Sequence, residues 1–318
     1  MIEDVMVAEI ETRKTSTWID RYSNFSTTRR SVILLSPTFV LIGIFGIAPL
    51  GLILIYSFLV AGTYGGVIWE FSPEAYIQFL FERDIFDETL AFNTTYLQIG
   101  ARSFILASLA VIGCLLIGFP TAYFIATRSP QTRNIWIFLI TVPFWTNLLV
   151  RTFSMMLILR NEGPLNAALI GSGIIEKPLA MLFTDLAIGI GLLYSFLPFM
   201  VLPIYASLEK IDFRLAEAAY DIFANRWQVL RWVLIPLSLP GIAAGSFLVF
   251  IPSLGSFLAP DLLGGGKHLM IGNLISMQFG VGRNWPFGSA AAMILLALVL
   301  IALVLYSRQV AGREEQDA

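Results

Sequence analysis

The chain has 318 residues, 57% of them hydrophobic and 13% charged, with a mean hydropathy of +0.78 and a formal net charge of −2. Soluble domains average about 25% charged residues, so the composition excludes an ordinary soluble domain and points to a polytopic membrane protein. The small net charge gives no sign of a nucleic-acid partner. With one cysteine, Cys114, and one histidine, His268, no intramolecular disulfide can form and no metal site is expected.

In chain order, residues 1–31 form a polar, acid-rich tail without the apolar core of a cleavable signal peptide. Six stretches approach the roughly 20 apolar residues a spanning helix needs: 32–60, 102–127, 134–158, 183–207, 238–258 and 287–307. The expected fold is all-α with six transmembrane helices over 32–308 and a short tail at 309–318. Six spans place both termini on one side. The tails, the 128–133 turn and the 208–231 segment carry thirteen Lys and Arg, against six in the opposite loops (Arg83, Arg102, Arg160, Lys177, Lys267 and Arg283). The bias puts the termini and the 208–231 segment in the cytoplasm. Prolines recur in the spans at Pro49, Pro120, Pro143, Pro198, Pro203 and Pro252, each freeing a carbonyl that a neighbour must satisfy.

The first outward loop, 61–101, holds Glu70, Glu74, Glu82, Asp84, Asp87 and Glu88 among aromatic residues. It reads as a solvated loop, a surface-lying helix or a docking surface. Arg151 lies inside the third apolar stretch. A charge there is costly unless paired, and Asp185 or Glu162 is the expected structural partner.

Between the fourth and fifth stretches lies a polar island, LAEAAYDIFANRWQVLRWVLIPLSLPGI, from Leu215 to Ile242. Asp212 is placed to cap a helix starting at Phe213. Leu215, Ala218, Ala219 and Ile222 then share one face, and Arg214, Glu217 and Asp221 another. Asn225 with Gln228 has capping-box spacing for a second helix. Pro236 is expected to end that helix, and Ser238 with Pro240 to start the fifth span. The predicted result is an elbow over 208–236: helix, turn, helix, break, span. A helix lying on lipid is the alternative, but such helices carry Lys and Arg on their polar face, and this one carries Glu217 and Asp221.

No nucleotide site is expected. GGGKH (264–268) ends in Gly-Lys, but Asp261 and His268 occupy the places where a phosphate-binding loop has Gly and Ser or Thr. Chemical energy must come from a separate subunit.

Glu217-Ala218-Ala219, followed by IPLSLPGI (235–242), resembles the EAA motif of ABC importer permeases. VPFWTNLLVRT (142–152), FLPFMVLPIYASLEKID (196–212), PDLLGGGKHLMIGNLISMQF (260–279) and NWPFG (284–288) resemble the spermidine/putrescine permeases of the PotB type. The resemblance covers roughly 32–308. It implies a type I importer (MetI-like) permease fold in the bacterial inner membrane, with cytoplasmic coupling helices. It also implies two ATPase subunits that bind ATP and Mg, a homologous second permease, a periplasmic substrate-binding protein and a polyamine substrate; this chain itself carries no cofactor. Coupling to the ATPase falls on Glu217, Ala218, Ala219, Asp221, Phe223, Asn225 and Arg226. The translocation path and gate fall on Phe257, Leu258, Asp261 and Ser276, with Trp145 and Tyr194 as further candidates. A polyamine is an extended cation that favours carboxylates and aromatic faces. Asp261 therefore offers a charge to the passing cation, or else caps its loop or pairs with Lys267. The family pattern has glycine where this chain has Phe223. Either the turn shifts to Asn225, or the first helix runs on through Phe223. The alternative functions are a like importer for another small amine, or a stand-alone secondary transporter.

Overall fold

A computed structural model describes residues 27–83 and 90–314. The chain divides into two units at Ile55/Tyr56. In the first unit, α1 (Thr27–Ile42) runs through a π turn (Gly43–Ile47) into α2 (Ala48–Tyr56). Leu34–Tyr56 is long and apolar enough to span a membrane. Phe39, Phe45 and Ile47 stand exposed along it, the all-round apolar surface that suits a helix solvated by lipid. The basic residues of the N-terminal tail before position 27, and Asp84, Asp87 and Glu88 of the first loop, lie outside the described residues.

The second unit begins with two antiparallel hairpins. β1 (Leu59–Ala61) pairs with β2 (Val67–Phe71), and β3 (Phe81–Arg83) pairs with β4 (Leu90–Phe92), with the one-turn α3 (Glu74–Ile77) between them. The first loop is thus neither a plain solvated coil nor a long surface helix. Aromatic rings hold it in place. Phe58 stacks on Phe71 at 5.8 Å and meets Tyr76 at 5.0 Å, Phe79 and Tyr96 both pack on buried Phe287, and the Tyr76 hydroxyl donates to Ser57 Oγ at 2.9 Å. Such pairs each add about 0.5–1.5 kcal/mol beyond the area they bury.

The membrane helices follow. α4 (Thr95–Ala126) is the second span. The third stretch does not form one straight helix. α5 (Pro130–Thr141) passes through a 3₁₀ turn (Val142–Trp145), breaks at Thr146 and Asn147, and resumes as α6 (Leu148–Leu159) and α7 (Pro164–Gly171), with a 92° bend between its halves. α8 (Asp185–Leu208) is the fourth span, and α9 (Arg214–Asp221) follows it. α10 (Arg226–Val229), a π turn (Leu230–Leu234) and α11 (Ile235–Leu254) form one helical rod. Short α12 (Leu258–Gly264) and α13 (Ile271–Phe279) lead to α14 (Trp285–Glu314). Among the described residues, five helices are long and apolar enough to cross a membrane, and the bent pair makes a sixth if it is one span.

α8 is the centre of this unit. Ala187, Ile188, Leu192, Met200, Val201, Ile204 and Leu208 are fully buried along it. They pack against Leu106, Ala110, Cys114 and Ala122 of α4, Val249 of α11 and Leu263 of α12. Within lipid, helices gain by close approach rather than by escaping water. Here α11 supplies the means in Gly241 and Gly245, four apart. A methyl group on Gly241 would stand 2.5 Å from the Pro203 carbonyl oxygen, and one on Gly245 2.9 Å from Met200 sulfur.

Candidate functional site

Three places in the second unit carry the residues singled out from the sequence: the elbow, the segment after α11, and the break in the third stretch.

At the elbow, the Asp212 carboxylate accepts the Arg214 amide at 3.0 Å and α9 starts there, one residue later than expected. Glu217, Ala218 and Asp221 are exposed and Ala219 is partly so. The apolar face of α9 finds no cover in this unit, for Leu215 and Ile222 are exposed too. α9 ends in a complete Schellman turn. The Ala224 amide donates to the Ala219 carbonyl at 3.1 Å, and the Phe223 amide to the Tyr220 carbonyl at 2.9 Å. This motif needs a left-handed residue just past the helix, a place usually taken by glycine. Here it is Phe223, with φ of +63°. The turn therefore neither shifts to Asn225, which is extended with φ −82°, nor does the helix run on through Phe223. The phenylalanine itself adopts the left-handed conformation, at a cost of about 1–2 kcal/mol relative to glycine. Its side chain is 97% exposed.

Asn225 and Gln228 form the expected capping box, with bonds of 2.8 and 2.7 Å. Beyond it the expected break at Pro236 is absent. Arg226–Leu254 is one helix of 29 residues. Pro236 lacks an amide and would clash with the carbonyl four residues back. The π turn one turn earlier removes the conflict: the Ile235 amide reaches the Leu230 carbonyl, five residues back, and the wider turn leaves room for the ring. Neither Ser238 nor Pro240 restarts a helix. The Ser238 hydroxyl donates to the Ile235 carbonyl inside the continuing rod. The elbow is braced at its root, where Arg133 pairs with Glu209 at 3.0 Å and Phe213 lies 6.4 Å from Tyr123 at the end of α4.

After α11 the chain breaks at Gly255 and Ser256. Phe257 then caps the short α12, on which Leu258 and Asp261 fall, with Phe257 and Asp261 exposed. Asp261 makes no ion pair with Lys267 among the described residues. α12 is pinned at both ends of the loop that follows it. The Phe183 amide, from a residue at φ +62°, donates to the Leu263 carbonyl at 2.8 Å. The buried Ser103 hydroxyl accepts the Ile271 amide at 2.8 Å and donates to the Ile99 carbonyl. Ser276 is exposed on α13, Tyr194 is half-buried on α8, and Trp145 stands exposed at the break, edge-on to Phe138 at 6.1 Å. No hydrogen bond or ring contact joins Ser276, Tyr194 or Trp145 to Phe257 or Asp261 among the described residues.

At the break, Arg151 is buried but not paired with Asp185 or Glu162. Its guanidinium donates to the carbonyls of Phe144 and Thr146, both at 3.0 Å, and of Ser195 at 3.3 Å, and lies over the Phe144 ring. The bend strands carbonyls with no helical amide to take. Arginine's rigid fork of donors satisfies several at once and ties the break to α8. The Asn147 side chain caps the resuming helix by accepting the Leu149 amide at 2.8 Å. Asp185 has other partners: His268 Nδ1 at 2.9 Å and Arg102 Nε at 3.8 Å, an outer link between α4, α8 and the loop after α12. Pro143, just ahead of Arg151, was a sequence signal for a break here, though not for the partners Arg151 takes. Among the described residues, no group of His, Cys, Asp and Glu could hold a metal ion.

Comparisons with known proteins agree with this architecture. Residues 115–313 match the family described as "Binding-protein-dependent transport system inner membrane component". The chain is 44% identical over 220 residues to the spermidine/putrescine transport system permease protein PotB of Haemophilus influenzae, covering 69% of this chain and 77% of that one. It is 40% identical over 234 residues to PotB of Escherichia coli K12, covering 74% and 84%. Among solved structures, a bacterial ABC transporter that imports the acidic polysaccharide alginate superposes with a TM-score of 0.67 at 17% identity, over 90% of this chain and 96% of that one. The MetNI methionine ABC transporter gives 0.51 at 16% identity, over 68% and 94%. The bent third stretch, the central α8 and the elbow running into α11 thus belong to a known membrane architecture, and the chain is a member of the binding-protein-dependent transport system inner membrane component family.

Proposed function

We propose that this chain is one of two homologous transmembrane subunits of an ATP-driven importer for polyamines. Its partners are two ATPase subunits on the cytoplasmic side and a binding protein on the other. The observation that carries the reading is the elbow: a short capped helix with an uncovered apolar face, joined through a closed Schellman turn to a membrane rod that is continuous from Arg226 to Leu254. Force applied at α9 passes along Arg226–Leu254 to the break at Gly255 and so to α12. The substrate class rests on the spermidine/putrescine permeases at 40–44% identity. The Lys and Arg bias supports a cytoplasmic elbow and cytoplasmic termini. Domain limits follow: tails at 1–31 and 309–318, and the permease domain at 32–308.

In this mechanism, closure of the ATPase dimer moves the elbow, held through Glu217, Ala218, Ala219, Asp221, Asn225 and Arg226. The spans turn to open outward, and the binding protein releases its cargo above α12, with the exposed aromatic residues of the first hairpin as its seat. Asp261 attracts the amine and Phe257 with Leu258 closes the path. Ser276, Trp145 and Tyr194 line it.

The test is uptake of labelled putrescine and spermidine into proteoliposomes holding the full complex. Uptake is expected to require ATP and the binding protein. Glu217→Ala should lower it at least tenfold while the complex stays assembled in the membrane. Asp261→Asn should lower it more than it lowers ATP hydrolysis. Uptake by this chain alone on an ion gradient overturns the reading, and competition by a different class of small amine reassigns the substrate.

A further inference from the structure

Phe223 is at odds with its surroundings on two counts. Its backbone sits in the left-handed region at φ +63°, where glycine or asparagine is at ease, and its ring is 97% exposed. Among the described residues nothing compensates for either: the ring makes no aromatic contact there, and the Schellman bonds that define the turn use only backbone atoms. A strained, bulky residue that its own fold does not reward marks a site whose return lies outside the chain. The surroundings say of what kind. Phe223 stands at the rim of a cleft of about 330 Å³ between α9 and the following rod, lined also by Ala219, Ile222, Val229 and Trp232. Ile222, Trp227 and Trp232 are exposed beside it.

We propose that Phe223 is a knob that fits an apolar socket on the ATPase subunit, and that it sets which ATPase this permease accepts. The proposal rests on the reading of the elbow as the ATPase docking site, and its partner is taken from continuity with that elbow. A lipid surface is the less suitable occupant, because α9 carries Glu217 and Asp221, both exposed, where a lipid-bound helix carries basic residues. The closed Schellman turn fixes the backbone and the direction of the Phe223 Cα–Cβ bond before docking, so little backbone freedom is lost on binding. Aromatic anchors of this sort dominate interface energetics.

The experiment measures the affinity of the ATPase for the permease pair in nanodiscs, with Phe223→Gly, Phe223→Leu and Glu217→Ala variants, alongside thermal unfolding of each permease. Phe223→Gly is expected to weaken ATPase binding about tenfold or more with no loss of thermal stability. Phe223→Leu, which keeps an apolar knob, should retain most of the affinity. Unchanged binding in Phe223→Gly with weakened binding in Glu217→Ala overturns the knob and leaves the docking reading standing. Unchanged binding in both overturns the docking reading itself. If Phe223→Gly instead alters partition of the elbow tryptophans into lipid with no ATPase present, the ring is a membrane anchor and the proposal falls.

Discussion

At the break in the third stretch and at the elbow, this chain breaks a simple rule in opposite ways. Arg151 is a charge buried in an apolar bundle, and Phe223 is an aromatic ring held out in water on a strained backbone. Arg151 finds partners internally: the carbonyls of Phe144 and Thr146, at the bend, and of Ser195, on α8, take its donors, and the bend creates the need for a guanidinium. Phe223 is settled by nothing among the described residues of its own unit. A rule broken with partners inside the fold is architecture; one broken without partners faces outward to another molecule. Substitutions at the two places should therefore separate stability from assembly.

The largest effect is expected at the break. Arg151→Met removes the donors, leaves the carbonyls of Phe144 and Thr146 unsatisfied and unties the break from Ser195 of α8, a loss of about 3 kcal/mol or more. Thermal unfolding in detergent checks it, and an unchanged midpoint would mean the bend holds itself. Arg151→Lys sharpens the comparison, since it keeps the charge but not the fork. Ser103→Ala should cost less, about 1–2 kcal/mol, because one hydroxyl accepts the Ile271 amide and a single donor is orphaned; the same melt reads it. The smallest and oppositely signed effect is Phe223→Gly. Relief of about 1–2 kcal/mol of left-handed strain outweighs about 0.5–1 kcal/mol of added chain entropy, so the melt should be level or slightly raised. A clear destabilisation there would show that the ring is tied down within the chain and would erase the contrast.

Much of this was legible beforehand. Apolar length marked the second, fourth and sixth spans to within several residues, and the Asn225–Gln228 spacing marked the second elbow helix. Asp212 marked the start of the first elbow helix to within one residue. Three things were not legible, each for a physical reason. Arg151 was assigned a carboxylate partner because side-chain charges show in a sequence and stranded backbone carbonyls do not. Pro236 was read as a break because the proline rule assumes α geometry, and a single wider turn suspends it. Phe223 was read as moving the turn to Asn225 or as letting the first helix run on, and it did neither, since steric preference sets odds rather than outcomes.

The π turn at Leu230–Leu234 has one more consequence. A π turn amounts to one residue inserted into an α-helix, and one residue is about 100° of rotation. The side chains of α10 and the elbow are therefore set in azimuth against those of α11 by this single extra position. Removing one residue from Leu230–Leu234 would leave a helix of nearly the same length and composition. It would also swing Trp227 and everything before it about a quarter turn around the rod, so the docking face would point away from where the bundle needs it.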